Sequence, residues 1–254
     1  MRQPLRRLYL LYHELRDRGS DYSYVIDTRL FQAHMDLLAR LRAAAPNDAA
    51  LWPEVTFDDG HVSNIELAAP ILQARGMTAH FFITVGWTGT KAGYMGWDEL
   101  RSLHAAGHTI GAHGWTHTLL THCSDAELHT ELGSARQELE AKLGTPVTTM
   151  SLPGGRSNPR VLAACKAAGY IHIFTSTPQA ETMPLGTTVG RLNIRGDAQL
   201  EWLEKLLDPS SGMLAGLQRK DKIKAAAKRL LGDRLYARLW ALANRQHSER
   251  EYAE

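Results

Sequence analysis

An α/β fold of parallel strands joined by helical crossovers is predicted for this 254-residue chain. Three observations predict it. Apolar, β-branched runs of strand length alternate with segments of helical periodicity from residue 55 to residue 175. Gly76, Gly107, Gly144 and Gly169 each stop a helix shortly before the next strand. Polar or glycine-rich stretches, Asp58-Asp59-Gly60, His113-Gly114 and Pro153-Gly154-Gly155, follow strand after strand, as expected where a site is built at the carboxyl ends of parallel strands.

Taken in order, residues 8–12 read as the first strand. Leu30, Phe31, His34, Leu37, Leu38 and Leu41 recur at helical spacing, so 29–44 is expected to be an amphipathic helix ending at the turn Ala45-Pro46-Asn47-Asp48. The run Val55-Thr56-Phe57 suits a buried strand and delivers Asp58, Asp59 and Gly60. A helix over 65–75 and a strand over 79–85 complete one β-helix-β unit. A helix from Trp97 stops at Gly107, and a strand over 109–112 leads into His113-Gly114-Trp115-Thr116-His117. Residues 124–143 form one long helix, with Ser124 as N-cap and Glu127 in the capping-box position. The strand over 147–152, a helix over 159–168, strands over 171–175 and 189–194 and a helix over 198–207 follow.

From Gln218 to Arg250 there are ten Lys or Arg against three Asp or Glu, with an apolar stripe of Ile223, Leu230, Leu231, Leu235, Leu239 and Leu242. This reads as a helix broken near Gly232, packed on the body with its basic face solvated. Docking to an anionic membrane surface or a partner complex is the alternative. The expected organisation is a barrel domain over 1–210 and a basic amphipathic tail over 211–254.

Composition is that of an ordinary globular protein, with 44% hydrophobic and 22% charged residues. A net charge of +2 makes no case for nucleic acid. Two cysteines, Cys123 and Cys165, exclude a disulfide framework and read as small buried thiols. The apolar run after Arg2, Arg6 and Arg7 is too short for a secretory signal, and no stretch reaches the roughly 20 apolar residues of a membrane span. A cytoplasmic location, with membrane association through the tail as a variant, is the expectation.

The chemistry centres on the acid pair. Two adjacent carboxylates repel, so burying both as anions requires a cation between them or a shared proton. His113 and His117 supply the imidazoles for a metal. One acid and two imidazoles form a facial set that leaves positions open for water and substrate. Zinc suits such a set, and cobalt or nickel also accept it.

The ordered motifs TFDDG, TAHFFI, MGWDELRSLHAAGHTIGAHGWTH and SLPGGRSNPRVLAACKAAGY resemble the polysaccharide deacetylase, or NodB-homology, superfamily over roughly residues 8–195, including Tyr12-His13. The resemblance implies a distorted (β/α) barrel with fewer strands than a TIM barrel, and metal-dependent removal of an N-acetyl group from an amino-sugar glycan or its precursor. It implies Asp59, His113 and His117 as metal ligands, Asp58 as general base and the Gly154 N–H facing the oxyanion. His61, Trp115, Pro153 and Gly155 are the expected substrate contacts, with Trp115 as a sugar-stacking wall. Two positions depart from the family pattern. Ser151 stands where many members have an Arg that holds the catalytic Asp, and no late Leu-x-His occurs around Leu192-Asn193-Ile194. Biofilm-polysaccharide deacetylases share one or both departures, so the pattern resembles that subgroup and implies a role in exopolysaccharide or surface-glycan synthesis. An amide or ureide hydrolase on the same scaffold, or a catalytically lapsed glycan-binding or assembly protein, are the alternatives.

Overall fold

The strand signals condense into one main curled sheet with helices outside it, beside a separate two-stranded sheet. The computed structural model describes residues 6–18, 20, 22–44 and 52–231. Its elements run β1 (Arg6–Tyr12), β2 (Glu14–Arg16), β3 (Val25–Asp27), α1 (Thr28–Ala44), β4 (Trp52–Phe57), α2 (Ala69–Gln73), β5 (Ala79–Ile83), α3 (Trp97–Ala105), β6 (Thr109–Ala112) and α4 (Asp125–Leu128). Then come α5 (Ala135–Leu143), β7 (Thr149–Ser151), α6 (Pro159–Ala167), β8 (His172–Phe174), β9 (Glu181–Thr182), β10 (Thr188–Val189), β11 (Arg191–Asn193), α7 (Leu200–Leu207) and α8 (Met213–Leu231).

The sheet order is β10-β8-β7-β6-β5-β4-β1-β11, every neighbour on that path parallel, with β9 antiparallel to β1. β10 and β11 are separated only by Gly190, yet β10 pairs with β8 and β11 with β1, so this short stretch nearly closes the sheet into a barrel. Side chains confirm the curl. Tyr9 on β1 meets Phe174 on β8 edge-on at 5.2 Å between ring centroids, and Phe82 on β5 meets the same ring at 4.9 Å. Strands that are not neighbours in the sheet touch through its interior, which a flat sheet does not allow. Alternation decides which residues fill that interior: Phe82 and Tyr9 point in, while Phe81 and Leu10 join the larger core under the helices.

Four expected elements differ. The helix over 65–75 is a π-helical turn, Asn64–Ala68, followed by α2. Pro70 has no N–H, so the regular ladder is interrupted where the two segments meet. The long helix after Ser124 keeps its capping box but contains a π-helical turn, His129–Ser134, between α4 and α5. The strand expected over 79–85 ends at Ile83, with Val85 in a 3₁₀ turn. The strand expected over 189–194 is split at Gly190, whose added Cβ would lie 2.5 Å from the Thr177 carbonyl.

Met213, Leu214 and Leu217 at the start of α8 pack against the main core. The turn at 45–48 and the tail from Gly232, with four of the ten Lys or Arg counted between Gln218 and Arg250, lie outside the described residues. No described helix is long and apolar enough to cross a membrane.

One buried imidazole makes stability pH-dependent. His34 on α1 donates from Nε2 to the Ala198 carbonyl at 2.9 Å, so its Nδ1 accepts from the Tyr12 hydroxyl at 3.1 Å. Burial disfavours the charged form and lowers its pKa to about 4. The unfolded chain therefore binds a proton near pH 6.5 that the folded one refuses, and stability falls as pH drops from about 6.5 to 4, by up to about 3 kcal/mol. His34→Gln is expected to flatten that part of a urea-unfolding pH series, and an unchanged slope would reject the assignment.

Candidate active site

The acids, the histidines and Ser151 gather at the carboxyl ends of parallel strands, and Arg191 joins them from the amino end of β11. Asp58 and Asp59 follow β4, His113 and His117 follow β6, Ser151 ends β7 and Arg191 opens β11. Two adjacent aspartates on a regular strand would point to opposite faces. Here Asp59 adopts φ 74 and Gly60 φ 87, a left-handed turn that brings the second carboxylate round beside the first. Asp tolerates this region better than β-branched residues do.

The histidine loop performs a second reversal. Gly114 has φ 80 and His117 has φ 65, so the chain folds back and returns the second imidazole to the first. The ring centroids are 5.0 Å apart. His113 Nε2 lies 3.3 Å and His117 Nε2 3.2 Å from Asp59 Oδ1.

A divalent cation suits this group on two observations. Asp59 Oδ1 is buried and has no properly oriented hydrogen-bond partner among the described residues, although two imidazole nitrogens flank it. The three groups share a focus without satisfying one another. Second, His113 Nδ1 sits 2.8 Å from the Ser151 carbonyl, which can only accept, so the ring proton is on Nδ1 and the Nε2 lone pair of the neutral ring faces the carboxylate. A lone pair facing an anion calls for positive charge between them. Burial works against protonating His113, yet Asp58 and Asp59 outweigh it and its pKa is raised. Burial likewise opposes ionising Asp59, but the facing imidazoles hold its carboxyl well below the usual range. Asp59, His113 and His117 each offer one ligand atom within 4.8 Å of the others.

Asp58 is held differently. Arg191 donates from Nη1 to Oδ1 at 2.7 Å and from Nη2 to Oδ2 at 2.8 Å, a bidentate pair. Nη2 also donates to Ser151 Oγ at 2.6 Å, which leaves the Ser151 hydroxyl to donate to Asp58 Oδ2 at 2.9 Å. With Nε to the Thr175 carbonyl and Nη1 to Thr56 Oγ1, all five guanidinium donors are used. Arg191 is fully buried, lying 5.3 Å and 5.8 Å from the ring centroids of Phe82 and Phe174. Burial alone would raise the Asp58 pKa, but Arg191 with help from His113 overcomes it and the net shift is downward. The carboxylate stays ionised. Three of its roughly four acceptor sites are filled, leaving one for an incoming proton.

Arg191 was not among the residues singled out from the sequence. It restores from β11 the contact that Ser151 cannot make from β7. The available signal was a charged residue inside an otherwise apolar strand, which needs a buried partner. His13, just after β1, is a further imidazole near the site. Burial lowers its pKa against the pull of Asp59 and Asp58, and its Nδ1 has no hydrogen-bond partner among the described residues.

The other expected contacts divide. Pro153 approaches Gly114: a Cβ added there would lie 3.6 Å from Pro153 Cγ. Gly154 takes φ 63, and Gly155 donates its N–H back to the Leu152 carbonyl at 2.8 Å. His61 Nδ1 accepts the Ser63 N–H, which places the ring proton on Nε2, 3.7 Å from Glu14 Oε1. Trp115 is half-buried and packs against the main core. The ring beside His117 is Trp87, at 5.2 Å, in contact with Tyr94 at 4.6 Å and with Lys91 Nζ 4.0 Å from its centroid. Sequence spacing carries no signal that residue 87 would meet residue 117.

A nearly closed parallel α/β barrel, with one ion-paired aspartate beside an Asp-His-His cluster at the strand ends, defines a barrel protein with a buried ionised acid and a candidate metal site. Residues 53–173 match the family model described as polysaccharide deacetylase. YxkH of Bacillus subtilis (strain 168), whose name places it in the same family, is 25% identical over 197 residues, covering 72% of this chain and 69% of that protein. A chitin deacetylase of Pestalotiopsis sp. is 29% identical over 131 residues, which span 52% of this chain and 42% of that one. Among solved structures, the Streptococcus pyogenes deacetylase PplD, in complex with acetate, superposes with a TM-score of 0.71 at 19% identity, covering 81% of this chain and 100% of that one. That likeness shows the shared fold.

Proposed function

We propose that this chain is a metal-dependent hydrolase that removes N-acetyl groups from an amino-sugar glycan or its precursor, in exopolysaccharide or surface-glycan synthesis. The single observation that carries the reading is the orphaned Asp59 Oδ1 between two imidazole nitrogens at 3.2 and 3.3 Å, beside a separate aspartate held ionised by Arg191. Asp59, His113 and His117 would hold the ion, with zinc the first candidate and cobalt or nickel compatible. The chemistry such an ion supplies is Lewis acidity, which makes water a better proton donor and polarises a carbonyl.

The remaining work falls to side chains. Asp58, with one acceptor site open, takes the proton of the water that attacks the amide carbonyl. Arg191 and Ser151 keep that carboxylate oriented, so its geometry is set before substrate arrives. The Gly154 N–H is the proposed donor to the developing oxyanion. His61 Nε2–H, Pro153 and Gly155 are the proposed substrate contacts, with Trp115 and with Trp87, whose ring lies beside His117, as apolar walls for a pyranose ring. The glycan class is supported by the family match and by the chitin deacetylase relative.

Acetate release from N-acetylglucosamine oligomers tests this reading. Treatment with a strong chelator is expected to abolish it, and one equivalent of zinc to restore it. Asp59→Ala is expected to lose both bound metal and activity. Full activity after verified metal removal would overturn the metal reading, and release from ureides with none from the oligomers would move the substrate class.

A further inference from the structure

Glu131 is 4% exposed, yet its carboxylate is saturated by one short piece of chain. Trp115 N–H donates to Oε2 at 2.7 Å, Thr116 N–H donates to Oε2 at 3.0 Å and Oε1 at 3.2 Å, and Thr116 Oγ donates to Oε1 at 2.6 Å. All these donors lie between His113 and His117. Glu131 sits in the π-helical turn His129–Ser134, where the helical register is widened, a feature frequent at functional sites. Gly114 is shaped to the same carboxylate. A Cβ there would lie 2.8 Å from Glu131 Oε2, in a place the hydrogen-bonded, buried acid cannot vacate.

The loop needs such a clamp. His117 holds φ 65, a conformation that non-glycine residues adopt only when their surroundings enforce it. The Trp115 carbonyl is tied on the far side by the Gly86 N–H at 2.8 Å, and the Gly114 carbonyl by the Val85 N–H at 3.1 Å. Glu131 is the contact from the helical side, and the only one of these made by a side chain. It touches neither imidazole ring. His113 is oriented by Ser151, so the acid acts on the path of the backbone between the two histidines.

We propose that Glu131 is a positioning residue for the metal loop, clamping the Trp115-Thr116 backbone so that His113 and His117 stand ready at the separation one shared ion requires. The inference rests on the metal reading of Asp59, His113 and His117, and goes beyond it by assigning preorganisation of that site to a residue outside it. Outer partners of metal ligands, when replaced, typically weaken metal affinity or activity about 10–100-fold.

Zinc affinity of the metal-free full chain, measured by competition with a chromogenic chelator at a temperature where each variant is folded, tests it. Glu131→Gln keeps the volume but turns an amide N–H towards the loop donors, and is expected to weaken zinc binding about 10–100-fold. Thr116→Val removes one hydrogen bond and is expected to weaken it about two- to tenfold. A role confined to fold stability would lower the metal-free melting temperature and leave the affinity of the folded protein unchanged. Affinity within twofold of wild type in folded Glu131→Gln overturns the proposal; if that variant does not fold, unchanged affinity in Thr116→Val overturns it. A wild type that binds no zinc removes the metal reading and this inference together, whereas a zinc-binding wild type matched by its variants removes only this inference.

Discussion

Arg191→Met is expected to destabilise the protein by about 3–5 kcal/mol, the usual penalty for removing one partner of a buried ion pair. Asp58 would be left as a buried carboxylate with Ser151 Oγ as its remaining hydrogen-bond donor among those described. In a chain of this size each kcal/mol moves the melting temperature by about 2–4 °C, so a fall of roughly 10 °C is expected. The double variant Asp58→Asn with Arg191→Met removes both charges, and should recover much of the loss because no uncompensated ion remains. Calorimetry of the two variants decides it. A single variant within 1 kcal/mol of wild type would show that the guanidinium does not carry the pair.

The same substitution has a kinetic signature. Burial pushes the Asp58 pKa up and Arg191 pulls it down, so deleting Arg191 lets desolvation act with less opposition and raises the pKa. A base must be ionised to accept a proton. The acid limb of kcat/KM is therefore expected to move to higher pH in Arg191→Met, while a merely structural arginine would leave it in place.

Asp58→Asn is expected to lower kcat by about 10²–10⁴-fold, the range contributed by a general base, with zinc retained and KM little changed. Asparagine preserves shape and still accepts from Ser151, but it cannot take a proton at neutral pH. Because this variant leaves Arg191 buried without its anion, kinetics belong at a temperature well below its measured melting point. A rate loss under tenfold would remove Asp58 from the role of base. Loss of zinc together with rate would instead show that Asp58, 3.9 Å from His113 Nε2, belongs to the ion's own environment.

Much of this site was legible along the chain because its parts are local. TFDDG places two acids at a strand end, and HGWTH places two imidazoles around a glycine that can reverse the chain. The strand rhythm was equally local, and β1, β4, β6 and α1 fall where periodicity places them. Errors came where hydrogen-bond register overrode pattern. The π-helical turns at Asn64–Ala68 and His129–Ser134 carry ordinary helical sequences, and the widening shows only in the backbone.

What the sequence determined by itself was therefore the class of fold, the family resemblance and the acid-histidine set, since each is written in residues a few positions apart. What only the tertiary structure decided was who supports that set. Arg191 reaches Asp58 across 133 positions and replaces from β11 a charge missing at Ser151 on β7. Glu131 reaches the histidine loop from a helix, and Trp87 reaches His117 from another loop. The reason is geometric: closing the barrel brings its last strand beside its first, so side chains far apart in sequence share one buried volume. There a charge must find its counterpart wherever the chain provides one.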